Sequence, residues 1–358
     1  MKNKGIILSN YSYLFNRIAE IIAEARTKVV REINTAQVLA YWEIGREIVE
    51  FEQKGKLRAV YGEALIVRLA KDMTERFGKG FSERNLRNMR TFYLNLPIRQ
   101  TLSAEFTEDK ESRTPTKLEP MVSWSHYCEL LKIEEPLARS FYEREAIQNN
   151  WSVRELKRQI NSMLFERLAL SKDTKAVMKM AKKGQVIEKP EDAIKDPYVL
   201  EFLNLKEETS YSESQLEQAL IDKLQDFLLE LGKGFTFVAR QRRITIVNRH
   251  YRIDLVFYNR LLKCFLLIDL KTGELDHADV GQMNFYLNYF RENEKAEGEN
   301  NPIGLILCAQ KDNIFAKYVL GGLNNKVFAS KYKLALPSEK ELRLELKSIP
   351  GMLVKDQD

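Results

Sequence analysis

The chain has 358 residues, of which 44% are hydrophobic and 30% charged, and its formal net charge is +6. This length can bury more than one hydrophobic core, and no apolar run approaches the roughly 20 residues that a membrane-spanning helix needs. The N-terminal apolar run is too short for a secretory signal and the three cysteines lie far apart, so we expect a cytoplasmic protein without disulfides, a zinc site or membrane contact.

The positive charge is concentrated in the first part of the chain. Lysine and arginine outnumber aspartate and glutamate by 35 to 28 in residues 1–200, whereas the counts are 22 and 23 in residues 201–358. Residues 51–100 alone hold 11 basic and 5 acidic side chains. This distribution indicates that the first part supplies the electrostatic attraction to a polyanion such as nucleic acid.

Residues 1–170 are predicted to form an all-α domain. Apolar side chains recur at the spacing of one helix face in residues 15–33 and again in residues 35–52. Ser152 and Glu155 match a helix-capping box, in which each side chain bonds to the backbone N–H of the other residue. The domain is therefore expected to be a bundle of helices.

Within this domain, residues 63–93 have the pattern of a helix-turn-helix. The apolar spacing in residues 63–77 predicts one helix, the glycines of residues 78–80 end it, and Ser82 can cap the next helix. One face of this second helix carries Leu86, Met89 and Tyr93. The opposite face carries Arg84, Arg87, Asn88 and Thr91. Arginine and asparagine make bidentate contacts with base edges, which predicts nucleic-acid binding; the alternative is a solvated helix in an ordinary bundle.

Three further stretches complete the domain organisation. The polar stretch 96–120 predicts an exposed loop. Residues 171–197 are rich in lysine and contain Gly184 and two prolines, so we interpret them as an interdomain linker. The second domain is expected over residues 198–337, and residues 338–358 are expected to form a C-terminal tail.

Alternating helix-like and strand-like patterns predict that the second domain is α/β. Its elements follow the order helix, three strands, helix and strand, with a further helix and strand after them. We predict helices at residues 215–231, 280–292 and 314–320, and strands at residues 236–247, 251–259, 263–271, 303–309 and 327–336.

Glu217, near the start of the first of these helices, has two interpretations. Ser214 and Glu217 match a capping box, in which the glutamate only satisfies a backbone N–H. The apolar stripe of the helix leaves Glu217 off its centre, so the carboxylate could instead contribute to a site at the neighbouring sheet. Both interpretations stay open from the sequence.

Two aspartates and a lysine occupy neighbouring predicted strands. Asp254 interrupts the strand at 251–259, while Asp269 and Lys271 end the strand at 263–271 and point to the same face. The short connection predicts a hairpin that brings the two aspartates together. Carboxylates this close repel each other unless a cation lies between them, and a hard oxygen site suits Mg2+ or Mn2+. The pattern predicts a phosphodiester-hydrolysing site in which Lys271 orients or deprotonates the attacking water.

The acidic-x-lysine tripeptide alone is weakly specific. It occurs six times in the chain, and only the copy at Asp269 closes an apolar strand that follows another aspartate-bearing strand. Alternation in that preceding strand places Ile253, Leu255 and Phe257 on one face and Asp254 on the other. The alternative is a structural salt bridge between Asp269 and the lysine at a sheet edge, with Asp254 facing solvent.

Six segments carry a resemblance to a known family. They are Lys195–Leu203, Phe227–Phe235, Arg252–Tyr258, Ile268–Lys271, Gly281–Leu287 and Ile303–Cys308. With these segments the chain resembles, over nearly its whole length, the YhcG family of PD-(D/E)XK nucleases, which is related to Holliday junction resolvases and restriction endonucleases. The resemblance implies a restriction-endonuclease-like αβββαβ core preceded by a helical domain.

The resemblance also implies roles for the site residues. The aspartate of the second core strand in the superfamily matches Asp254, and the carboxylate and lysine of the third strand match Asp269 and Lys271. The backbone carbonyl of Leu270 is a further expected metal ligand. An acidic residue on the first helix often completes such a site, and Glu217 matches it.

Two further pairs of residues are candidates for the same site. Gln282 and Tyr286 resemble the Gln-x-x-x-Tyr element of RecB-like members and share a helix face; the alternative is a surface side-chain pair. Arg240 and Arg242 on the first strand are candidates for contact with the phosphate backbone. Their alternative role is to protect a sheet edge from pairing with another chain.

Together these inferences predict a Mg2+-dependent nuclease, with Mn2+ as the alternative ion, that acts on DNA in repair, recombination, restriction or defence. One alternative is a catalytically silent nucleic-acid-binding protein or a subunit that works with restriction or defence partner proteins. Another is action on RNA, because the fold is related to tRNA-splicing endonucleases. A homodimer is a further expectation, since endonucleases that cut both strands often pair two sites.

Overall fold

The structure, a computed structural model, describes residues 2–54, 59–95, 122–169, 174–205 and 211–336. It divides into two compact units, residues 1–139 and residues 140–358. The predicted loop at 96–120 and the predicted tail at 338–358 lie outside the described residues, as do residues 171–173 of the predicted linker. Within the described ranges, no helix is long and apolar enough to cross a membrane.

The described part of the first unit is helical. Helix α1 spans Lys2–Lys54 without interruption, although two helices were predicted there. Only Asn34 separates the two predicted stretches, and no glycine or proline lies beside it to end a helix. Three helices follow: α2 at Ala59–Phe77, α3 at Glu83–Asn95 and α4 at Trp124–Leu130.

Helices α2 and α3 form the predicted helix-turn-helix pattern. Gly78 and Gly80 in the turn have φ angles of 80° and 116°, in the region that favours glycine. Ser82 Oγ accepts a hydrogen bond from the backbone N–H of Asn85 at 3.3 Å, which confirms the predicted cap. The buried side chains of α3 are Leu86, Met89 and Phe92. Phe92 therefore takes the place predicted for Tyr93.

The boundary between the units falls within α5, which spans Pro136–Gln148. Helix α6 at Val153–Asn161 and helix α7 at Leu164–Ala169 follow. Ser152 and Glu155 form the predicted capping box at the start of α6, with the Ser152 N–H donating to Glu155 Oε2 at 2.7 Å.

The segment predicted as a linker is folded where it is described. Helix α8 spans Thr174–Lys183 and helix α9 spans Pro190–Ala193. Val177, Met180 and Ala181 of α8 are buried, because apolar residues recur at helical spacing between the lysines. These helices belong to the second unit, and α8 packs its apolar face within it. The predicted domain boundaries at residues 170 and 198 stay predictions.

A six-stranded mixed sheet in the order β1-β6-β5-β4-β3-β2 forms the centre of the second unit. The strands are β1 at Tyr198–Val199, β2 at Phe235–Ile246, β3 at Arg249–Asn259, β4 at Cys264–Glu274, β5 at Ile303–Gln310 and β6 at Lys326–Lys333. Strands β2, β3 and β4 pair antiparallel, and β4, β5, β6 and β1 pair parallel. Strand β1 is too short to show a period, so it was not predicted.

Helices cover both faces of this sheet. They are α10 at Glu213–Asp222, α11 at Leu224–Leu231, α12 at His277–Asn293 and α13 at Asn313–Leu320. The single helix predicted at 215–231 is two helices, which meet at Lys223. Helices α10 and α11 bury Leu216, Leu220 and Phe227 on one face. Helices α12 and α13 bury Val280, Met283, Leu287 and Ala316 on the other. The predicted αβββαβ order is confirmed.

Strand β3 changes faces at Asp254. Ile253 packs with the α12 side of the sheet and Leu255 with the α10 side, although residues two apart in a regular strand share a face. The prediction that Ile253 and Leu255 lie on one face is therefore wrong. Gln241 of β2 stands opposite Asp254 and has a φ angle of 48°, in the left-handed region. The left-handed backbone of Gln241 in β2 and the change of face in β3 lie side by side, and such local irregularities redirect side chains.

Candidate active site

The predicted carboxylate pair lies where β3 and β4 separate. The backbone pairing of β3 with β4 ends at Leu255 and Ile268. Asp254 and Asp269 are the neighbouring residues just beyond this last pair. Oδ2 of Asp254 accepts a hydrogen bond from the backbone N–H of Leu270 at 2.8 Å, which holds this carboxylate beside the β4 backbone. The hairpin thus brings Asp254 and Asp269 together.

Asp269 is the more buried member of the pair, with 3% of its surface exposed. Burial, and then the charge of Asp254, raise the pKa of Asp269 to about 7 against the opposing effect of Lys271. Asp269 Oδ2 lies 3.1 Å from Lys271 Nζ but makes no hydrogen bond of regular geometry with a described residue. The site therefore holds more negative charge than its one lysine offsets.

Three carboxylates surround the ammonium group of Lys271. Its Nζ atom lies 3.1 Å from Asp269 Oδ2, 3.5 Å from Asp279 Oδ1 and 3.9 Å from Glu213 Oε2. Burial alone would lower the pKa of Lys271, but the carboxylates, with Asp269 first, raise it above its usual value. A protonated ammonium group donates hydrogen bonds and cannot accept a proton. This arrangement favours orienting a water over deprotonating it.

Glu217 faces the site instead of capping its helix. The capping box of α10 is made by Ser212 and Gln215, two residues before the predicted one, so the capping interpretation of Glu217 is wrong. The buried Glu217 carboxylate accepts hydrogen bonds from Nε of Arg240 and from Nε2 of Gln241. Both of its oxygens are engaged, so Glu217 supports the aspartate pair from α10.

Gln241 is a site residue that the sequence did not indicate. Its Nε2 atom donates to Asp254 Oδ1 at 2.9 Å and also to Glu217 Oε2. The amide thereby connects α10 to β3. A polar residue in a half-exposed strand is ordinary, and neither its left-handed backbone nor its two partners leave a pattern in the sequence.

Gln282 and Tyr286 are brought together as their spacing predicts. Nε2 of Gln282 donates to the Tyr286 oxygen at 2.6 Å, and the Tyr286 hydroxyl donates to the backbone carbonyl of Arg252 at 2.8 Å. Tyr286 is fully buried, and burial followed by the charge of Asp269 raises its pKa to about 12. The buried Tyr286 therefore anchors β3 two residues before Asp254, whereas Gln282 is exposed.

The two arginines predicted to contact phosphate have carboxylate partners in the structure. Arg240 pairs with the buried Glu217 and also donates to Gln218 Oε1 at 2.6 Å. Arg242 donates to Glu294 Oε1 at 3.0 Å across the surface. Exposed ion pairs of this kind contribute little to stability. Arg240 instead offsets the charge of Glu217.

Three residues of the first unit are predicted to contact bases, and two of them, Arg87 and Asn88, have side-chain partners within that unit. Arg87 Nη2 lies 2.8 Å from Glu63 Oε2 and 3.2 Å from Glu83 Oε2. Asn88 Nδ2 lies 3.5 Å from Cys128 Sγ. Arg84 is exposed. Of the three side chains, Arg84 is the one most open to an external partner.

A second charged cluster lies in the same unit as the aspartate pair, around the fully buried Glu230. Oε1 of Glu230 is 2.6 Å from Arg167 Nη1 and Oε2 is 3.3 Å from Arg158 Nη1, while Lys195 Nζ donates to the Glu230 carbonyl. Burial alone would raise the pKa of Glu230, but Arg167, Lys195 and Arg158 lower it to about 2. Burial lowers the pKa of Lys195 to about 8. We name these four residues the Glu230 cluster.

The donor set of the aspartate pair fits a hard divalent cation. Asp254, Asp269 and the backbone carbonyl of Leu270 offer oxygen ligands, and Asp269 Oδ2 is buried without a regular hydrogen bond. Among the residues that the structure describes, no group of three or more His, Cys, Asp and Glu side chains forms a ready ligand cluster. A cation here would therefore keep several waters, as Mg2+ does in proteins.

Comparison with known proteins identifies the family. The "YhcG PDDEXK nuclease domain" family matches residues 191–347, and the "DUF1016 N-terminal domain" family matches residues 17–167. A curated protein of Escherichia coli (strain K12), "Putative nuclease YhcG", is 46% identical over 354 residues, which cover 94% of each chain. The chain belongs to the YhcG family of PDDEXK nucleases. The predicted family is confirmed, and the αβββαβ core of this YhcG-family chain is restriction-endonuclease-like.

Two solved structures are distantly similar to part of this YhcG-family chain. A repair endonuclease from Pyrococcus abyssi has a TM-score of 0.25 and 19% identity over 37% of this chain and 50% of that one. An EndoMS–dsDNA2 complex has a TM-score of 0.26 and 18% identity over 37% of this chain and 49% of that one. Likenesses this distant do not assign roles to residues.

Proposed function

We propose that this PDDEXK nuclease hydrolyses phosphodiester bonds of DNA with Mg2+, for which Mn2+ can substitute. The juxtaposition of Asp254 and Asp269 carries the proposal. Burial and mutual repulsion leave the pair with uncompensated negative charge, and Lys271 stands beside it with its proton in place. An excess of oxygen ligands next to a fixed ammonium group is suited to binding a divalent ion and a phosphate together.

The proposed roles follow from the contacts of each side chain. Asp254, Asp269 and the carbonyl of Leu270 would hold the ion, which when bound would stabilise the negative charge that develops on the phosphate oxygens. The Lys271 ammonium orients a water for in-line attack on phosphorus. Glu217 stabilises the arrangement of Asp254 from helix α10. Gln282 and Tyr286 fix the β3 backbone next to it.

Nucleic-acid binding is proposed to rest on two surfaces, each in its own unit. In the second unit, Arg242 exchanges Glu294 for a backbone phosphate, while Arg240 stays with Glu217. In the first unit, Arg84 contributes directly, and Arg87 and Asn88 contribute only after leaving their internal partners. The basic excess of residues 51–100 supports this assignment. A cytoplasmic location and a homodimer that pairs two sites complete the proposal.

One observation favours a second candidate function. Both carboxylate oxygens of Glu217 are engaged and Lys271 is surrounded by three carboxylates, an arrangement that a nuclease fold retained only for binding could also keep. The chain would then be a nucleic-acid-binding protein or a subunit of a larger restriction or defence assembly. Turnover by the isolated protein distinguishes the two functions.

A cleavage panel tests the proposal. Purified wild-type protein and the Asp269→Ala/Lys271→Ala variant are incubated with end-labelled duplex, single-stranded and four-way-junction DNA and with RNA, in Mg2+, Mn2+ or EDTA. Denaturing gels should show cutting of at least one DNA by the wild type with metal and none by the variant. Gel-shift binding by both proteins without cutting would instead support the binding function, and cutting of RNA alone would overturn the choice of DNA.

A further inference from the structure

Gln241 combines three features that coincide at one point of the sheet. Its φ angle of 48° is one that residues other than glycine rarely adopt and that persists only where the surrounding structure holds it. It stands opposite Asp254, at the position where β3 changes faces. Its side-chain amide donates to both Asp254 and Glu217. A backbone irregularity of this kind commonly redirects a side chain next to a functional site.

We propose that Gln241 is a positioning residue that fixes the Asp254 carboxylate for the divalent cation, an inference that rests on the proposed function. Asp254 is held from two sides: Oδ1 accepts from Gln241 Nε2 at 2.9 Å and Oδ2 accepts from the Leu270 N–H at 2.8 Å. Each carboxylate oxygen has two acceptor positions, so both oxygens keep one for a cation. Gln241 determines the orientation in which those positions are presented.

The chemistry of an amide suits this position better than that of a charged side chain. A lysine or arginine at residue 241 would neutralise Asp254 and compete with a cation for it. A carboxylate would repel both Asp254 and Glu217. The neutral amide donates hydrogen bonds without changing the charge of the pair, and Arg240 separately offsets Glu217. The charge of Asp254 is thereby reserved for the ion.

Gln241 also gives Glu217 a defined part in the site. Among the described residues, the Gln241 amide links Glu217 to Asp254, since it donates to Oε2 of Glu217 and to Oδ1 of Asp254, while Arg240 donates to Oε1 of Glu217. Groups that orient a metal ligand in this indirect way commonly change metal affinity or activity by about 10–100-fold when they are removed. Loss of the Gln241 amide should therefore weaken metal binding by a factor in this range.

Two variants and a matched control separate the side chain from the backbone. Gln241→Met keeps the length of the side chain and the left-handed backbone but removes the donor. Gln241→Gly removes the donor and relieves the backbone. Asn248→Gly is the control for a glycine introduced at a left-handed backbone position of the same hairpin, since Asn248 has a φ angle of 62° and its exposed side chain lies in the β2–β3 turn.

Titration calorimetry with Mn2+ and the Mg2+ dependence of DNA cleavage are the two measurements. Both Gln241 variants should bind Mn2+ about 10–100-fold more weakly and need correspondingly more Mg2+ for half-maximal cleavage. Circular dichroism at the temperature of the calorimetry should show both Gln241 variants to be folded, which excludes unfolding as the cause. Asn248→Gly should match the wild type in Mn2+ affinity.

Several results would overturn the inference: unchanged Mn2+ affinity in Gln241→Met or in Gln241→Gly, an equal loss in Asn248→Gly, or no Mn2+ binding by the wild type. The calorimetry does not depend on cleavage. If the wild type binds Mn2+ and cuts no nucleic acid, while both Gln241 variants lose affinity, the positioning role stands and the proposed nuclease reaction is the part that fails.

Discussion

Two charged clusters of the second unit use the same residue types with opposite electrostatic balance. Around Asp254 and Asp269, carboxylates outnumber cations, and the pKa of Asp269 rises to about 7. In the Glu230 cluster, cations outnumber the carboxylate, and the pKa of Glu230 falls to about 2. Burial opposes ionisation of both carboxyl groups, so the difference comes from their neighbours.

The comparison distinguishes the candidate active site at Asp254 and Asp269 from the Glu230 cluster, which stabilises the fold. Both oxygens of Glu230 accept hydrogen bonds within the chain, from Arg167, Arg158 and the backbone of Val199. Asp269 Oδ2, by contrast, has no regular hydrogen bond among the described side chains and backbone groups. A buried carboxylate whose oxygens all bond to residues of the same chain stabilises the fold. One whose charge is left uncompensated is suited to an external cation.

The largest effect should come from removing a charge of the aspartate pair. Asp254→Asn or Asp269→Asn should lower the DNA-cleavage rate by at least about 10²–10³-fold, because the ion loses a ligand and the phosphate loses charge stabilisation. Thermal unfolding should show no loss of stability, since the substitution relieves repulsion between carboxylates. The quantities to compare are the rate at saturating Mg2+ and the melting temperature; a variant with wild-type cleavage would show that the pair is not the catalytic site.

The Glu230 cluster should respond in the opposite way. Glu230→Ala should lower the free energy of unfolding by about 3–5 kcal/mol, because the buried Arg167 and Lys195 lose the carboxylate that offsets their charge, while Arg158 keeps its ion pair with Glu201. Urea unfolding followed by circular dichroism measures the change. The cleavage rate per folded molecule should stay within a factor of a few of the wild type. A Glu230→Ala protein of undiminished stability would contradict the structural role.

The pH dependence of stability gives a third contrast. Because the pKa of Glu230 is lowered in the folded state from 4.5 to about 2, its stabilisation is present above pH 4.5 and is lost as the pH falls towards 2. The loss amounts to about 3 kcal/mol. Urea unfolding of wild type and Glu230→Gln at a series of pH values should show a steeper acid loss in the wild type. Parallel curves would mean that Glu230 does not titrate at a lowered pKa.

The smallest effects should come from the α2–α3 surface of the first unit. Arg84→Ala should weaken DNA binding modestly and reduce its salt dependence by about one phosphate contact, since Arg84 is exposed. Arg87→Ala should leave the free energy of unfolding almost unchanged, because its ion pairs with Glu63 and Glu83 are exposed. Fluorescence anisotropy at several salt concentrations measures the first effect, and identical salt slopes for wild type and Arg84→Ala would contradict the assignment.

The β3–β4 hairpin shows which parts of the site the sequence predicts well. A short connection joins two strongly patterned strands, so the proximity of Asp254 and Asp269 follows from local sequence. Gln241 could not be predicted, because its role depends on a left-handed backbone and on a helix more than 20 residues away. One partner of Arg87 was hidden for a similar reason, because Glu63 lies on another helix, whereas Glu83 is four residues away on the same helix.

Glu217 illustrates a third case, in which a correct motif occurs twice. Ser212 with Gln215 and Ser214 with Glu217 both have capping-box spacing. The structure has the first of them, and Glu217 accepts hydrogen bonds from Arg240 and Gln241 on the neighbouring strand. Contacts of this kind are a tertiary property that the motif alone does not contain.

The most direct test is strand cleavage of end-labelled duplex DNA by wild type and Lys271→Met, each with Mg2+ and with EDTA. The aspartate pair, whose negative charge exceeds the positive charge of Lys271, predicts cleavage by wild type in Mg2+ alone. Cleavage should be lost in EDTA and in Lys271→Met, assayed at a temperature at which circular dichroism shows the variant to be folded. Cleavage that persists in EDTA or in the folded Lys271→Met protein would contradict a metal-dependent site built on Asp254, Asp269 and Lys271.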